Sequence, residues 1–197
     1  HLLNTSIEQL SRSVHFLENH DEARAAVHFT WEEHRAAAVL MIGLPGLRLL
    51  HQGQITGAKI KSPVQLNRWP EEPVNETIQT FYQRLLAAIK DSAVGRGAFR
   101  LLRPKSAWAG NETHRNFVVV QWQKMSGVFD LVVVNLAPWE GQCYVSPRIE
   151  NLSQHQWRMN DLIGPDQYLR TGAEIKRDGL YLALSGRQAQ IFHFEPV

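Results

Sequence analysis

The side chains of this sequence that are best placed to do chemistry form an Asn-His-Asp triplet, Asn19 to Asp21. The triplet follows directly on a short apolar run, residues 14–17, and opens into a helical segment that begins at Glu22. A strand that ends in polar residues and leads into a helix is typical of the C-terminal rim of an α/β barrel, where catalytic residues stand. Three polar residues after an apolar run are also typical of a solvated loop, so the triplet needs support from its neighbours.

A helix and a second strand are predicted after the triplet. Residues 36–46 form an apolar stretch that ends in Gly43, Pro45 and Gly46, which are common stop signals of a helix. Residues 47–54 then form a short apolar run that closes in a turn at Gly53, which indicates a buried strand. The predicted order is therefore strand, polar triplet, helix, strand and polar loop.

This ordered series resembles the end of the catalytic barrel in the α-amylase family of glycoside hydrolases. The triplet resembles the family's fourth conserved region, and residues 36–54 resemble its seventh barrel helix and eighth barrel strand. The resemblance implies that Asp21 is one of three essential carboxyl residues and that it holds, together with His20, the sugar at which the bond is cut. It also implies that Asn19 fixes the loop and belongs to the substrate-binding residues.

The sequence does not indicate the partners of two charged residues beside the triplet. Arg24 is a further substrate-binding candidate, and the sequence leaves open whether it pairs with Asp21 or Glu22 or faces solvent. Glu18 lies directly before the triplet but in no motif of the resembled family, so no role is predicted for it.

The rim loop after the second strand departs from the family pattern. His51 stands where the family commonly has Tyr or Phe, and Ile55 and Thr56 stand where it often has Glu. Gln52 and Gln54 can replace the missing groups as hydrogen-bonding partners, or they can lie in solvent, which is the commoner state of a glutamine in a glycine-containing loop.

Length limits how much of such an enzyme the chain can hold. The sequence has 197 residues, whereas an eight-stranded barrel alone needs about 250. The predicted fold is therefore α/β plus all-β: the last two βα units of a TIM barrel, residues 1–97, followed by an antiparallel β-sandwich, residues 98–197. A retaining mechanism needs two carboxyl groups about 5 to 5.5 Å apart. In the resembled family both follow earlier barrel strands, so we expect part of a longer enzyme that is inactive alone.

The division near residue 97 rests on a change of periodicity. Residues 74–91 have apolar side chains at three- and four-residue spacing, which predicts an amphipathic helix that resembles the eighth barrel helix. After residue 97, β-branched and aromatic runs alternate with turn signals, as they do in a sandwich. The predicted strands are residues 99–102, 116–123, 129–136, 142–146, 180–184 and 188–194.

Four tryptophans in the second half have two interpretations. They can form a platform on which sugar rings stack, or they can fill the sandwich core and its seam with the helices, which is the commoner role of a tryptophan. The four are Trp108, Trp122, Trp139 and Trp157.

The amino-acid composition limits the classes of molecule that the protein is expected to bind. A formal net charge of +2 with 20% charged residues indicates neither nucleic acid nor a membrane surface. The single cysteine, Cys143, excludes an internal disulfide and is expected to be an inert core thiol, and no metal or other cofactor is predicted. The predicted partners are an α-linked oligosaccharide or glucan, the remainder of the catalytic barrel, and a second copy of the fragment.

Two hypotheses from other classes stay open. A carbohydrate-binding module with a helical N-terminal appendage would have two or three coplanar aromatic side chains on one sheet face. A structural or regulatory protein derived from the C-terminal half of the enzyme would keep Asn19 to Asp21 as a relic. Within the enzyme hypothesis, hydrolysis, transglycosylation and isomerisation of α-linked glucosides all stay open.

Overall fold

The computed structural model describes residues 5–63, 65, 68–124 and 127–197. Within these residues the chain combines five α-helices with eleven β-strands. Helices dominate the first half and antiparallel strands dominate the second, as predicted. In the described part, no helix is both long and apolar enough to cross a membrane.

The N-terminal part is built around two short strands that pair in parallel. The elements are α1 (Ile7–Ser11), β1 (Val14–His15), α2 (Ala25–His28), α3 (Trp31–Gly43) and β2 (Leu47–Arg48). Val14 lies opposite Leu47, and His15 lies opposite Arg48. The predicted order of strand, helix and strand is present, although both strands are shorter than predicted. The helix begins at a capping box, in which the side chains of Thr30 and Glu33 accept from each other's backbone N–H groups.

The predicted amphipathic helix is confirmed as α4, which spans Glu76–Asp91. It begins two residues later than predicted because Asn75 has an extended backbone and caps the helix. The Oδ1 atom of Asn75 accepts a hydrogen bond from the Ile78 N–H at 3.1 Å. The buried residues of α4 are Ile78, Phe81, Tyr82, Leu85 and Ala88.

The C-terminal part is a sandwich of two antiparallel sheets. Its elements are β3 (Ala98–Leu102), β4 (Lys105–Ser106), β5 (Phe117–Gln123), β6 (Phe129–Asn135), β7 (Gly141–Val145), β8 (Gln156–Asp161), β9 (Gln167–Thr171), α5 (Gly172–Asp178), β10 (Leu180–Leu184) and β11 (Ala189–Pro196). The larger sheet has the order β3-β5-β6-β11-β8-β9, and the smaller has the order β10-β7-β4. All six predicted strands are present. The side chains between the two sheets, which include Phe117, Leu131, Cys143 and Leu182, form one buried core.

The six-stranded sheet is covered on its other face as well. Val118, Val132 and Ile191 project from that face into a second buried core, which α3 and α4 complete. α3 lies so close to the sheet that a Cβ atom built on Gly43 would come within 2.5 Å of the Cγ1 atom of Val132. The Nε1–H of Trp122 donates to the carbonyl of Gly43 at 2.8 Å. The central strands of this sheet are therefore buried on both faces.

Four elements of the second half escaped prediction: β4, β8, β9 and α5. β8 is the clearest case, because its inward Trp157 and Met159 alternate with Arg158 and Asn160, which interrupt the apolar run. Strands of this kind have one buried face and one exposed face, so the apolar signal is spread over every second residue.

The four tryptophans divide between core and surface. Trp157 lies in the sandwich core, and Trp122 lies in the seam with the helices. Trp108 and Trp139 are 56% and 60% exposed. The core interpretation is therefore right for two of them and wrong for the other two. Cys143 is buried as predicted, and burial raises the pKa of its thiol to about 12, so it is unreactive at neutral pH.

Candidate functional site

The predicted triplet forms an exposed turn beyond the carboxyl end of β1. The Oδ1 atom of Asn19 accepts hydrogen bonds from the backbone N–H groups of Asp21 and Glu22, at 2.8 and 2.9 Å. His20 Nε2 lies 3.3 Å from Asp21 Oδ2, and the two side chains are 60% and 79% exposed. The Nζ atom of Lys61 donates to the backbone carbonyl of Asp21. The turn is thus fixed through its backbone, while the imidazole and the carboxylate face outward.

A buried ion pair lies beneath this turn. The Nη1 atom of Arg24 donates to Glu18 Oε1 at 2.6 Å, and the side chains are only 2% and 1% exposed. The second carboxylate oxygen of Glu18 accepts from the backbone N–H of Ala25, also at 2.6 Å. Both oxygens of Glu18 are therefore engaged, and the pair ties the two ends of the triplet loop together.

Arg24 also joins this loop to the rim loop that follows β2. Its Nη1 donates to the carbonyl of Gln52 at 2.8 Å, and its Nε donates to the carbonyl of Ile60 at 3.1 Å. The guanidinium carbon lies 5.2 Å from the centroid of the Trp69 ring, within the range of a cation–π contact. The sequence left Arg24 paired with Asp21 or Glu22 or solvated, and these three possibilities are wrong. The spacing of six residues to Glu18 across an irregular loop gave no signal for the actual partner.

His51 is the third polar group of this buried cluster. Its Nδ1 atom lies 2.9 Å from Arg24 Nη1 and 3.6 Å from Glu18 Oε1. Gly53, two positions after His51, has φ +88°, and a Cβ atom there would lie 2.9 Å from Ala58 Cβ and 3.2 Å from Arg24 Nη2. Glycine is thus needed where the rim loop passes over the guanidinium.

The glutamine that was expected in solvent at position 54 is instead buried. Gln54 is 1% exposed, and its Nε2 donates to the hydroxyl of Tyr82 at 2.7 Å. The same hydroxyl lies 3.0 Å from His34 Nε2, which links α3 and α4 to the rim loop. Burial raises the pKa of Tyr82 and lowers the pKa of His34, so both groups are neutral at physiological pH.

The parallel strand pair that supports the rim has one uncovered apolar face. Val14 and Leu47 lie opposite each other and are 50% and 66% exposed. Phe16 and Leu49, two residues further along each chain segment, are exposed on the same side. We call these four residues the open face. On the opposite side, Leu17 and Leu50 pack against the helical core. The same side also carries His15 and Arg48: His15 Nε2 lies 2.8 Å from the carbonyl oxygen of Pro45, and Arg48 donates to the carbonyls of Ile42 and Leu44.

No group of three or more potential metal ligands occurs among the described residues. No protein-family profile matches the sequence, and no curated protein matches it.

The fold does match solved structures. An α-amylase from Anoxybacillus shares 15% identity with this chain, covering 95% of it and 39% of the enzyme, with a TM-score of 0.70. The α-amylase from Geobacillus thermoleovorans, complexed with acarbose, shares 14% identity over 94% of this chain and 39% of its own length, also with a TM-score of 0.70. A maltogenic α-amylase from Thermotoga neapolitana shares 16% identity over 94% of this chain and 42% of its own length, with a TM-score of 0.68.

This chain has the fold of part of an α-amylase-family structure. It spans 39% to 42% of the length of these three structures. The resemblance to part of an α-amylase-family enzyme, inferred from the triplet and its neighbours, is thus confirmed by a match in fold over nearly the whole chain.

Proposed function

We propose that this chain is the C-terminal part of an α-amylase-family enzyme that acts on α-linked glucans, by hydrolysis or by transfer. In this proposal residues 1–97 are the end of a (β/α)8 barrel, and residues 98–197 are the β-domain that follows it. One observation supports it above all: an exposed Asn-His-Asp turn stands at the carboxyl end of a parallel strand pair, in a fold that matches α-amylases over 95% of the chain.

Asp21 has the properties that the proposed role requires. Its carboxylate faces outward, and its backbone is held by Asn19 and Lys61. An exposed, positioned carboxylate can bond the hydroxyl groups of a sugar and favour the oxocarbenium-like transition state, an interaction that strengthens as the reaction proceeds. His20 would hold the same ring with a second hydrogen bond, and Asn19 would keep the turn in place.

Arg24 takes a different role in this proposal from the one expected of it. Its guanidinium is buried against Glu18, the Gln52 carbonyl and the Ile60 carbonyl, so it has no surface for a sugar. We assign it as a positioning residue that joins the triplet loop to the rim loop through Glu18. A shift of either loop would misplace Asp21, and misplacement by about 1 Å can lower a rate by about 100-fold.

In this proposal the two reacting carboxyl groups come from another part of the enzyme. Glu18, the carboxylate closest in sequence to the triplet, is buried and has both oxygens engaged, so it cannot reach a glycosidic bond. A retaining mechanism needs a nucleophile and an acid/base in addition to a supporting carboxylate. In the proposal both belong to the remainder of the barrel, and the 197-residue chain alone turns over no α-glucoside.

Substitution of Asp21 in the enzyme that contains this chain tests the proposal. Asp21→Asn should lower kcat on maltooligosaccharides by roughly 10³-fold or more with the fold intact, because a transition-state contact is lost. His20→Ala should have a milder effect, with more of it in KM. Glu22→Gln is the matched control, because it removes an exposed carboxylate from the next position and should stay close to wild type. Near-normal activity of Asp21→Asn would reduce the triplet to an ordinary loop.

A second assay uses the isolated chain and a nitrophenyl α-glucoside. We expect no turnover. Turnover that persists through purification and disappears in Asp21→Ala would mean that this chain contains its own nucleophile and acid/base.

The binding-module hypothesis is less well supported by the aromatic side chains. On the outer face of the small sheet, Tyr144 and Tyr181 lie side by side with ring centroids 5.4 Å apart. Their planes are inclined by 58°, whereas that hypothesis predicted coplanar rings.

A further inference from the structure

A groove lined by cations lies beside α1, and no residue of the triplet loop or of the rim loop lines it. It has a volume of about 510 Å³ and is bounded by α1, by the segment from Arg100 to Lys105, and by the chain that follows β7. α1 leads into the start of β1, whereas the triplet follows the end of the same strand. The groove is therefore separate from the site proposed above, and the inference does not depend on the proposed function.

Four basic side chains line this groove: Arg100, Arg103, Lys105 and Arg148. The described residues that line it include no Asp or Glu. Within the part of the chain that the structure describes, none of the four forms an ion pair with an acidic side chain. The whole sequence has 21 basic and 19 acidic residues, so a general excess of positive charge does not explain this concentration. Like charges that converge without a counter-charge destabilise a fold, and an anionic ligand would remove that cost.

A buried glutamine that is the cross-strand neighbour of one cation holds the backbone of another. Arg100 on β3 pairs with Gln121 on β5, so their side chains lie on the same face of the sheet. The Gln121 amide is buried, and it bonds the backbone of Arg148 twice: Oε1 accepts from its N–H at 2.8 Å, and Nε2 donates to its carbonyl at 3.1 Å. Arg148 is thereby anchored next to the sheet position of Arg100.

The chemistry of the lining selects the ligand. One guanidinium group can bind two phosphate oxygens at once. A phosphate monoester has about −1.5 to −2 charges and three acceptor oxygens, whereas a carboxylate has one charge and two oxygens. Ile7, Leu10 and Leu101 add an aliphatic wall that a bare anion would not contact. The volume lies within the range of small-molecule sites, about 300 to 1,000 Å³. We propose that this groove binds a small organic phosphate monoester, through the cations at its phosphate and the aliphatic wall at its organic part.

Isothermal titration calorimetry on the full chain, at constant ionic strength, tests the proposal with three probes: glucose 6-phosphate, inorganic phosphate and glucose. Glucose 6-phosphate should bind at least tenfold more tightly than either of the others. The double variant Arg100→Gln/Arg148→Gln should weaken its binding at least tenfold. Arg115→Gln/Arg158→Gln is the control, because it removes the same charge from exposed arginines that are paired with Glu112 and Glu195, and it should change the dissociation constant less than twofold.

A second double variant, Arg103→Gln/Lys105→Gln, keeps the test valid if the first pair affects folding, which thermal unfolding of each variant would reveal. It should also weaken binding at least tenfold. Equal loss of binding in the control would mean that only the overall charge matters, and this result would overturn the proposal. Inorganic phosphate that binds as tightly as glucose 6-phosphate would overturn it too. So would an oligonucleotide that binds more tightly than the sugar phosphate and loses its binding in the groove variants.

Discussion

The parallel pair β1–β2 and the six-stranded sheet are stabilised in opposite ways. The six-stranded sheet is covered by the small sheet on one face and by α3 and α4 on the other, and apolar contacts hold all three layers. The parallel pair β1–β2 is covered on one face only, and its rim is held by polar groups centred on Glu18 and Arg24. Both faces of the six-stranded sheet are therefore covered, whereas one face of the parallel pair is exposed.

This difference indicates how the faces of each sheet are covered in the complete protein fold. Antiparallel sheets in a sandwich can be completed by their own neighbours, whereas parallel sheets occur almost only where both faces are covered. The open face, Val14, Phe16, Leu47 and Leu49, lacks such cover among the described residues. We infer that this pair is an inner part of a larger parallel sheet, which is where the end of a barrel would place it.

The largest change in the free energy of unfolding is expected from substitution of Glu18, which holds the rim through its ion pair with Arg24. Glu18→Gln leaves the Arg24 guanidinium buried without its counter-charge, and breaking a buried pair from one side costs about 3 to 5 kcal/mol. Glu22→Gln, four residues away and exposed, should change the free energy of unfolding by less than about 0.5 kcal/mol. Urea unfolding of both variants measures the difference. Equal stabilities would mean that polar contacts do not hold the rim.

A smaller or equal effect is expected from a matched pair of apolar truncations. Ile191→Ala opens a cavity between the sheet and the helices and should cost about 2 to 5 kcal/mol. Leu47→Ala removes a side chain that is 66% exposed on the open face and should cost less than about 0.5 kcal/mol in the isolated chain. If both truncations cost the same in urea unfolding, the two sheets do not differ in cover.

The smallest effect is expected on the pH dependence of stability, through the pair of Asp130 and His193. Asp130 is fully buried, and it accepts from the backbone N–H of Ala93 at 2.5 Å and lies 2.7 Å from His193 Nδ1. The hydrogen bond to Asp130 raises the pKa of His193, burial partly opposes this rise, and the charges of Asp130 and Glu195 add to it, whereas that of Lys124 lowers it. The protonated pair therefore stabilises the fold below the ordinary histidine pKa of about 6.5, and this stabilisation is lost as the pH rises through the raised value.

Thermal unfolding between about pH 6 and pH 9 measures this loss, which should be near the 1 kcal/mol of a typical hydrogen bond. His193→Gln should flatten the profile in that window. A profile that stays unchanged in His193→Gln would assign the pH dependence to other groups.

The sequence predicted elements whose signal is local. The helical spacing in α4 and the β-branched runs of β5 and β6 are contained within each segment, and the structure places all three close to their predicted bounds. The Asn-His-Asp turn was located because it follows an apolar run directly.

Contacts that depend on loops meeting in space were not predicted. Arg24 binds Glu18, Gln52 and Ile60 because three irregular segments converge on it, and nothing in their spacing indicates this. Gln54 was expected in solvent because a glutamine beside a glycine is usually exposed, yet the hydroxyl of Tyr82 satisfies it in the interior.

The sequence does not indicate the concentration of charge in the groove, for the same reason. Arg100 and Arg148 are 48 positions apart in the sequence, and only the register of β3 on β5 and the side chain of Gln121 bring them to one place. The net charge of +2 conceals such a local excess.

We infer that the open face of β1–β2 is an interior surface of a larger sheet. Light scattering on the isolated chain at several concentrations tests it most directly, because an uncovered apolar face favours self-association. The wild-type chain should gain mass with concentration, Leu47→Asp/Leu49→Asp should stay monomeric, and the control Leu169→Asp, which is 56% exposed on β9, should behave like wild type. A wild-type chain that remains monomeric at every concentration, or an open-face variant that associates like wild type, would contradict the account.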